Sequence, residues 1–119
     1  MTWGYLVQQS LEAARSAEQK GISVEVIDLR TLNPLDEAKL YASVRKKGKV
    51  IVAHEDTLTG GFGAEIVARI TENCFEHLDA SVRRVAAKDI PVPYSPTLED
   101  AMLPNKNDVL AAIEYVASY

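Results

Sequence analysis

From Tyr5 to Lys20 the apolar residues Val7, Leu11, Ala14 and Ala17 recur at helical spacing, and Gly21 stands where a left-handed turn would end the helix. The next segment, Ser23-Val24-Glu25-Val26-Ile27-Asp28, alternates β-branched and polar residues and predicts a strand, with Leu29 to Pro34 as its exit loop. Asp36 is placed to cap a second helix over 37–47, in which Leu40 and Val44 face the core and Gly48 ends the last turn. Lys49 to His54 gives an almost continuous apolar run, the pattern of a strand covered on both faces. After the glycine turn Gly60-Gly61-Phe62-Gly63, a third helix is predicted over 64–75, with Ile66, Ile70 and Cys74 on one face. Val82 to Ala86 predicts a short strand. Prolines 91, 93, 96 and 104 predict an extended connection from Asp89 to Pro104, and a last helix begins near Asn107 or Asp108 with Val109, Ile113 and Val116 on one face.

Helices and strands therefore alternate, and right-handed crossovers turn that order into an α/β fold of three layers, α/β/α, around a mostly parallel open sheet. A unit of this kind opens on a strand, yet only Met1-Thr2-Trp3-Gly4 precedes the first helix. The expectation is one domain, 1–119, cut from a longer chain with its first strand truncated. Its 119 residues, 47% of them hydrophobic, suffice for a single core.

Thirteen Lys+Arg against seventeen Asp+Glu give a net charge of −4, which argues against nucleic acid as a partner. The densest cationic cluster, Arg45-Lys46-Lys47, falls at a helix end, where cations offset the macrodipole. The lone Cys74 forms no internal disulfide and is read as a small buried hydrophobe. No apolar run approaches the ~18 residues of a membrane span, so the expected setting is the cytoplasm, or the mitochondrial matrix in a eukaryote.

Candidate chemistry gathers where the two longer strands end, at Asp28-Leu29-Arg30 and His54-Glu55-Asp56. His54 and Glu55 are neighbours on a strand and point to opposite sides, and Leu58 occupies the place of the second histidine of HExxH. His54 is therefore read as a hydrogen-bonded histidine of the core edge or an interface, not as a general base. The glycine turn matches a phosphate loop only in part, since Ile66 replaces the third glycine and no Lys-Ser/Thr follows. It is read as a tight turn that lets Phe62 pack. Glu76 to Asp79 forms an acidic corner that is solvated charge on spacing alone. Spacing assigns no catalytic, cofactor-binding or metal-ligating residue.

Thr2-Trp3-Gly4, VEVIDLRTLNPLD from Val24 to Asp36, VAHEDTLTGGFGAEI from Val52 to Ile66, and LDASVRRVAAKDIPVPYSPTLED from Leu78 to Asp100 together resemble one family. It is the C-terminal, transketolase-like domain of the beta subunit of the decarboxylating component of 2-oxo acid dehydrogenase complexes, in its pyruvate, 2-oxoisovalerate or acetoin versions. The resemblance implies a thiamin-diphosphate and magnesium enzyme that decarboxylates a 2-oxo acid and passes the acyl group to a lipoyl arm. It implies that the cofactor lies between other domains, so that this fragment binds none and is inactive alone. The partners it implies are the remaining alpha and beta domains, a second beta part, and the dihydrolipoyl acyltransferase core. Family position gives Asp79, with the C-terminal Tyr119 close by, to the small subunit-binding domain of that core. Ser81 stands where relatives often carry proline. Family position gives Arg30, Leu32, His54, Glu55 and Phe62 to subunit interfaces. The corresponding domain of a transketolase or deoxyxylulose phosphate synthase, and a stand-alone anion-binding α/β module, are the alternatives.

Overall fold

The computed structural model describes residues 1–119 as α1 (Leu6–Glu18), α2 (Glu37–Lys47), β1 (Ile51–Thr57), α3 (Phe62–Cys74), a 3-10 turn at Phe75–His77, β2 (Arg83–Ala87), α4 (Pro96–Met102) and α5 (Lys106–Ala117). β1 and β2 run parallel, with Ile51 opposite Arg83 and Ala53 opposite Val85; an irregularity after Ala53 lets Thr57 meet Ala87. On its other side β1 meets the chain start: Thr2 forms parallel bridges to both Ala53 and Asp28. The order across the sheet is thus the 27–29 segment, Met1–Trp3, β1 and β2.

Side-chain alternation along β1 divides the core in two. Val50 and Val52 face α2 and α3 and pack with Leu40, Val44, Ile66, Ile70 and Cys74, which is fully buried. Ala53 and Val85 turn the other way, onto Leu6, Ala13, Ala17, Val109 and Ile113 of α1 and α5. Helices on both faces of a parallel sheet make the three-layer α/β/α arrangement that the sequence predicts. Its caps also appear: Asp36 accepts a hydrogen bond from Lys39 N at 3.1 Å, and Gly48 closes α2 at φ 68°. No helix is long and apolar enough to cross a membrane.

Three expectations are corrected. The buried stripe of α1 is Leu6, Ser10, Ala13 and Ala17, while Leu11 remains exposed. Close packing on α5 selects the row of small side chains over the row holding Leu11. Ser23 to Ile27 is extended but forms no ladder, because its neighbour across the sheet, Met1–Trp3, reaches only as far as the Asp28 bridge. The stretch expected to be extended from Asp89 to Pro104 contains the seven-residue α4. Pro96 is its first residue, where a missing N–H costs nothing and the fixed φ suits a helix. The last helix begins where it is expected, at Lys106, with Asn105 and Asp108 forming a capping box.

Candidate functional site

Parallel strands bring their carboxyl ends to one side, so His54-Glu55-Asp56, the glycine turn and the Asp28–Leu32 exit loop share an edge. His54 is fully buried there. Its ring stacks on Trp3 at 5.1 Å between centroids and 8° between planes, and Phe62 meets Trp3 edge-on at 6.3 Å. The glycines make this possible. A Cβ on Gly61 would lie 2.3 Å from Thr57 O and 2.8 Å from His54 Cε1; one on Gly63 would lie 2.3 Å from His54 Nε2. Their role is to admit the imidazole against the start of α3, and the turn does let Phe62 pack.

Neither nitrogen of His54 has a hydrogen-bond partner within the chain, which corrects the expectation of a hydrogen-bonded histidine. The β1 pleat carries the ring into the apolar layer beneath Trp3, beyond reach of the carboxylates that follow it in sequence. Burial lowers its pKa below the usual value; Asp56, near the ring but outside hydrogen-bond geometry, opposes that shift, and Arg84 reinforces it. At neutral pH the imidazole is uncharged, and with no polar side chain bonded to it, it forms no base–nucleophile pair.

The other edge residues have local occupations. Glu55 Oε2 accepts from Tyr5 N at 3.3 Å and so satisfies a free donor at the start of α1. Arg30, at φ 49°, is held in the left-handed region by Asp28, whose carboxylate takes both its backbone N–H and its Nε at 3.2 Å. Its side chain is 86% exposed. Leu32 and Phe62, far apart in sequence, line one open hollow of ≈ 670 Å³ with Asp56, Gly61 and Arg69. Both are half-buried against the core below.

Asp79 and Tyr119 lie at the opposite, amino edge. Asp79 N donates to Gly48 O at 2.8 Å, and its carboxylate packs where a side chain on Gly48 would stand. Asp79 is exposed and forms no ion pair within the chain, although Gly48 directly follows Arg45-Lys46-Lys47. Tyr119 pairs hydroxyl to hydroxyl with Tyr115 at 2.8 Å, and the Tyr115 ring lies 4.5 Å from the Arg83 guanidinium carbon, at the start of β2. The interface candidates therefore sort onto two edges: Arg30, Leu32, His54, Glu55 and Phe62 at the carboxyl end, Asp79 and Tyr119 at the amino end.

Residues 1–109 match the family described as transketolase, C-terminal domain. The chain belongs to the transketolase C-terminal domain family. It is 44% identical over 117 residues to the mitochondrial 2-oxoisovalerate dehydrogenase subunit beta 2 of Arabidopsis thaliana, covering 98% of this chain and 32% of that protein. It is 41% identical to the 2-oxoisovalerate dehydrogenase subunit beta of Bacillus subtilis, covering 100% of this chain and 37% of that one. With the pyruvate dehydrogenase E1 component subunit beta of Staphylococcus aureus the identity is 44%, over 92% of this chain and 34% of the relative. The chain spans about a third of the length of these curated relatives. Among solved structures, one described as "Split gene transketolase, inactive beta4 tetramer" superposes with a TM-score of 0.82 at 27% identity, over 98% of this chain and 37% of that one.

Two features of this transketolase C-terminal domain escape a reading of its sequence. Trp3, the only tryptophan, covers His54, and its rarity was the one available signal. Asp89 takes Thr59 N at 2.9 Å and Thr59 Oγ1 at 2.6 Å, which holds its pKa below the carboxylate range and ties the loop after β1 to the loop after β2. Nothing in the spacing of Thr59 and Asp89 announces that pair.

Proposed function

We propose that this domain is the C-terminal assembly unit of the beta part of a 2-oxo acid dehydrogenase decarboxylating component, excised from a longer polypeptide and inactive alone. The observation that carries the reading is identity of 41% or more, across nearly the whole chain, to beta subunits of 2-oxoisovalerate and pyruvate dehydrogenases. That likeness exceeds the 27% found with a transketolase, which favours the dehydrogenase reading over the transketolase one.

In the full enzyme thiamin diphosphate and magnesium supply the decarboxylation chemistry, and residues of other domains hold them. The residues here do not fit such a site. The glycine turn closes on the His54 ring, and the nearby carboxylates of Asp28, Glu55 and Asp56 are taken by Arg30, Tyr5 N and Thr57 N. The same occupation of the turn weighs against a stand-alone anion-binding module. A calorimetric titration of the 119-residue chain with thiamin diphosphate and magnesium is expected to give no binding heat, and saturable binding would overturn this assignment.

The two edges suit two kinds of contact. The Leu32–Phe62 hollow at the carboxyl edge offers apolar surface to neighbouring alpha and beta domains, including a second beta part. At the amino edge, the Asp79 carboxylate forms no ion pair within the chain and suits a basic side chain of the acyltransferase subunit-binding domain, with Tyr119 as a second contact. Asp79→Lys is expected to weaken capture of that small domain by roughly tenfold or more, read by surface plasmon resonance. Equal affinities for the wild type and the variant would remove Asp79 from the docking site.

A further inference from the structure

Both ring nitrogens of His54 are buried and unpaired, in a side chain with no exposed surface. Buried polar atoms of folded chains nearly always have a partner, so this imidazole calls for a reason other than stability. Shape alone holds it. Trp3 stacks on the ring, and the backbone of Gly61 and Gly63 comes so close that neither position has room for a Cβ.

The turn over the ring lies between two firm anchors. Upstream the chain is pinned to β2 and its exit loop: Leu58 N donates to Ala87 O at 3.0 Å, Arg84 Nη1 donates to Leu58 O at 2.7 Å, and Thr59 donates to Asp89 through both N and Oγ1. Downstream, Ile66 and Ile70 fix α3 in the core. Between these points, no N–H of Gly60–Gly63 makes a backbone hydrogen bond. Gly60 lies at φ 76° with open space where a side chain would stand, which makes it a hinge. The turn therefore rests on the imidazole.

Protonation upsets that arrangement. An imidazolium carries two N–H donors, and the cradle offers no acceptor for either. The charged side chains that act on the ring are Asp56, on its own strand, and Arg84 of β2. Other charges around it are occupied: Glu55 by Tyr5 N, Glu65 and Arg69 of α3 by each other, Asp28 and Arg30 by each other, Asp89 by Thr59, and the Met1 amine by Ile51 O. An imidazolium is thus drawn toward the exposed Asp56, and the turn must lift for the ring to leave.

We propose that His54 is the latch of a pH-operated gate at the carboxyl edge: neutral, it holds the Gly60–Gly63 turn shut; protonated, it swings toward Asp56 and the turn hinges open at Gly60, carrying Phe62 away from Trp3. Burial and Arg84 keep the ring neutral to lower pH than a free histidine, so the gate is shut at neutral pH and opens on acidification. Phe62 lines the hollow at this edge, so opening withdraws apolar surface from a subunit seated there. That consequence rests on the assembly reading above, whereas the gate itself does not.

The test follows the 119-residue chain, acetylated at Met1 to silence the buried amine, from about pH 7.5 to about pH 4.5. Trp3 is the sole tryptophan, and His54 and His77 are the two histidines, so fluorescence and imidazole NMR report the site directly. Trp3 emission and the His54 ring signals are expected to move together in one step. In the same step the exchange of the Ile66 and Val67 amides, which bond to the first turn of α3, should rise roughly tenfold or more beyond the intrinsic effect of pH, while Val52 stays protected. His54→Phe keeps a stacking ring without the proton and is expected to abolish all three changes; His77→Gln is expected to leave them intact. Asp56→Asn, on the exposed surface, is expected to move the transition to lower pH. A response that survives in His54→Phe, an Asp56→Asn transition at unchanged pH, or loss of Val52 protection in the same step, which is ordinary acid unfolding, would each overturn the proposal. Every readout is taken without a partner, so the gate stands or falls apart from the assembly role.

Discussion

Gly63→Ala is expected to destabilise the domain by roughly 2–3 kcal/mol in urea unfolding, against the sign of the same change at an ordinary helix position. Inside a helix, alanine normally gains roughly 0.5–1 kcal/mol over glycine. Here the new methyl would sit 2.3 Å from His54 Nε2 and 2.5 Å from its Cδ2. The ring cannot retreat, because it is fully buried and stacked on Trp3. In a His54→Ala background the obstruction is gone, and Gly63→Ala should be neutral or stabilising. A double-mutant cycle therefore reads a coupling of about 2 kcal/mol or more, and a cost that is the same in both backgrounds would refute the account of the glycine turn.

Stability should fall by roughly 2–3 kcal/mol between pH 8.5 and pH 6, from a group no side chain supplies. The Met1 amine is buried with its N–H on Ile51 O, and desolvation pulls its pKa from 8.0 down to about 6. Above pH 8 both folded and unfolded chains carry a neutral amine and stability is full. As the pH falls, the unfolded chain takes up the proton first, so folding weakens until the folded amine protonates near 6. His54, also depressed by burial, adds a further loss below its ordinary value of 6.5. Acetylating Met1 keeps an N–H for Ile51 and removes the titration. The acetylated chain should be flat from pH 8.5 to 7, and an unchanged slope would show that the amine is not the cause.

Most of the architecture was legible because its signals are local. Asp36 and Gly48 bracket α2, Leu40 and Val44 mark its inner face, and Ile66, Ile70 and Cys74 mark that of α3. Motif order gave the family, and a parallel sheet then collects the DLR, HED and GGFG segments on one edge without further information. What escaped was long-range. Glu55 supports the start of α1 from 50 positions away, and Trp3 covers a histidine that no periodicity connects to it. Pro96 was misleading because a proline breaks a helix only from within; as the first residue of α4 it starts one. The Ser23–Asp28 pattern predicts a strand that the structure reduces to one bridge, because alternation reports which side of a chain faces the core and says nothing of whether a neighbour stands beside it.

Cys74, the single thiol, ends α3 with no exposed surface and packs with Val44, Val50 and Ile70. The domain thereby carries its own clock. An alkylating reagent can mark only those molecules whose α3 has come away from the sheet. When reclosing outruns alkylation, the labelling rate divided by that of a free thiol is the fraction of time spent open. Slow, single-exponential modification that accelerates in step with urea would report global unfolding from one atom; modification that ignores urea would reveal that α3 opens by itself.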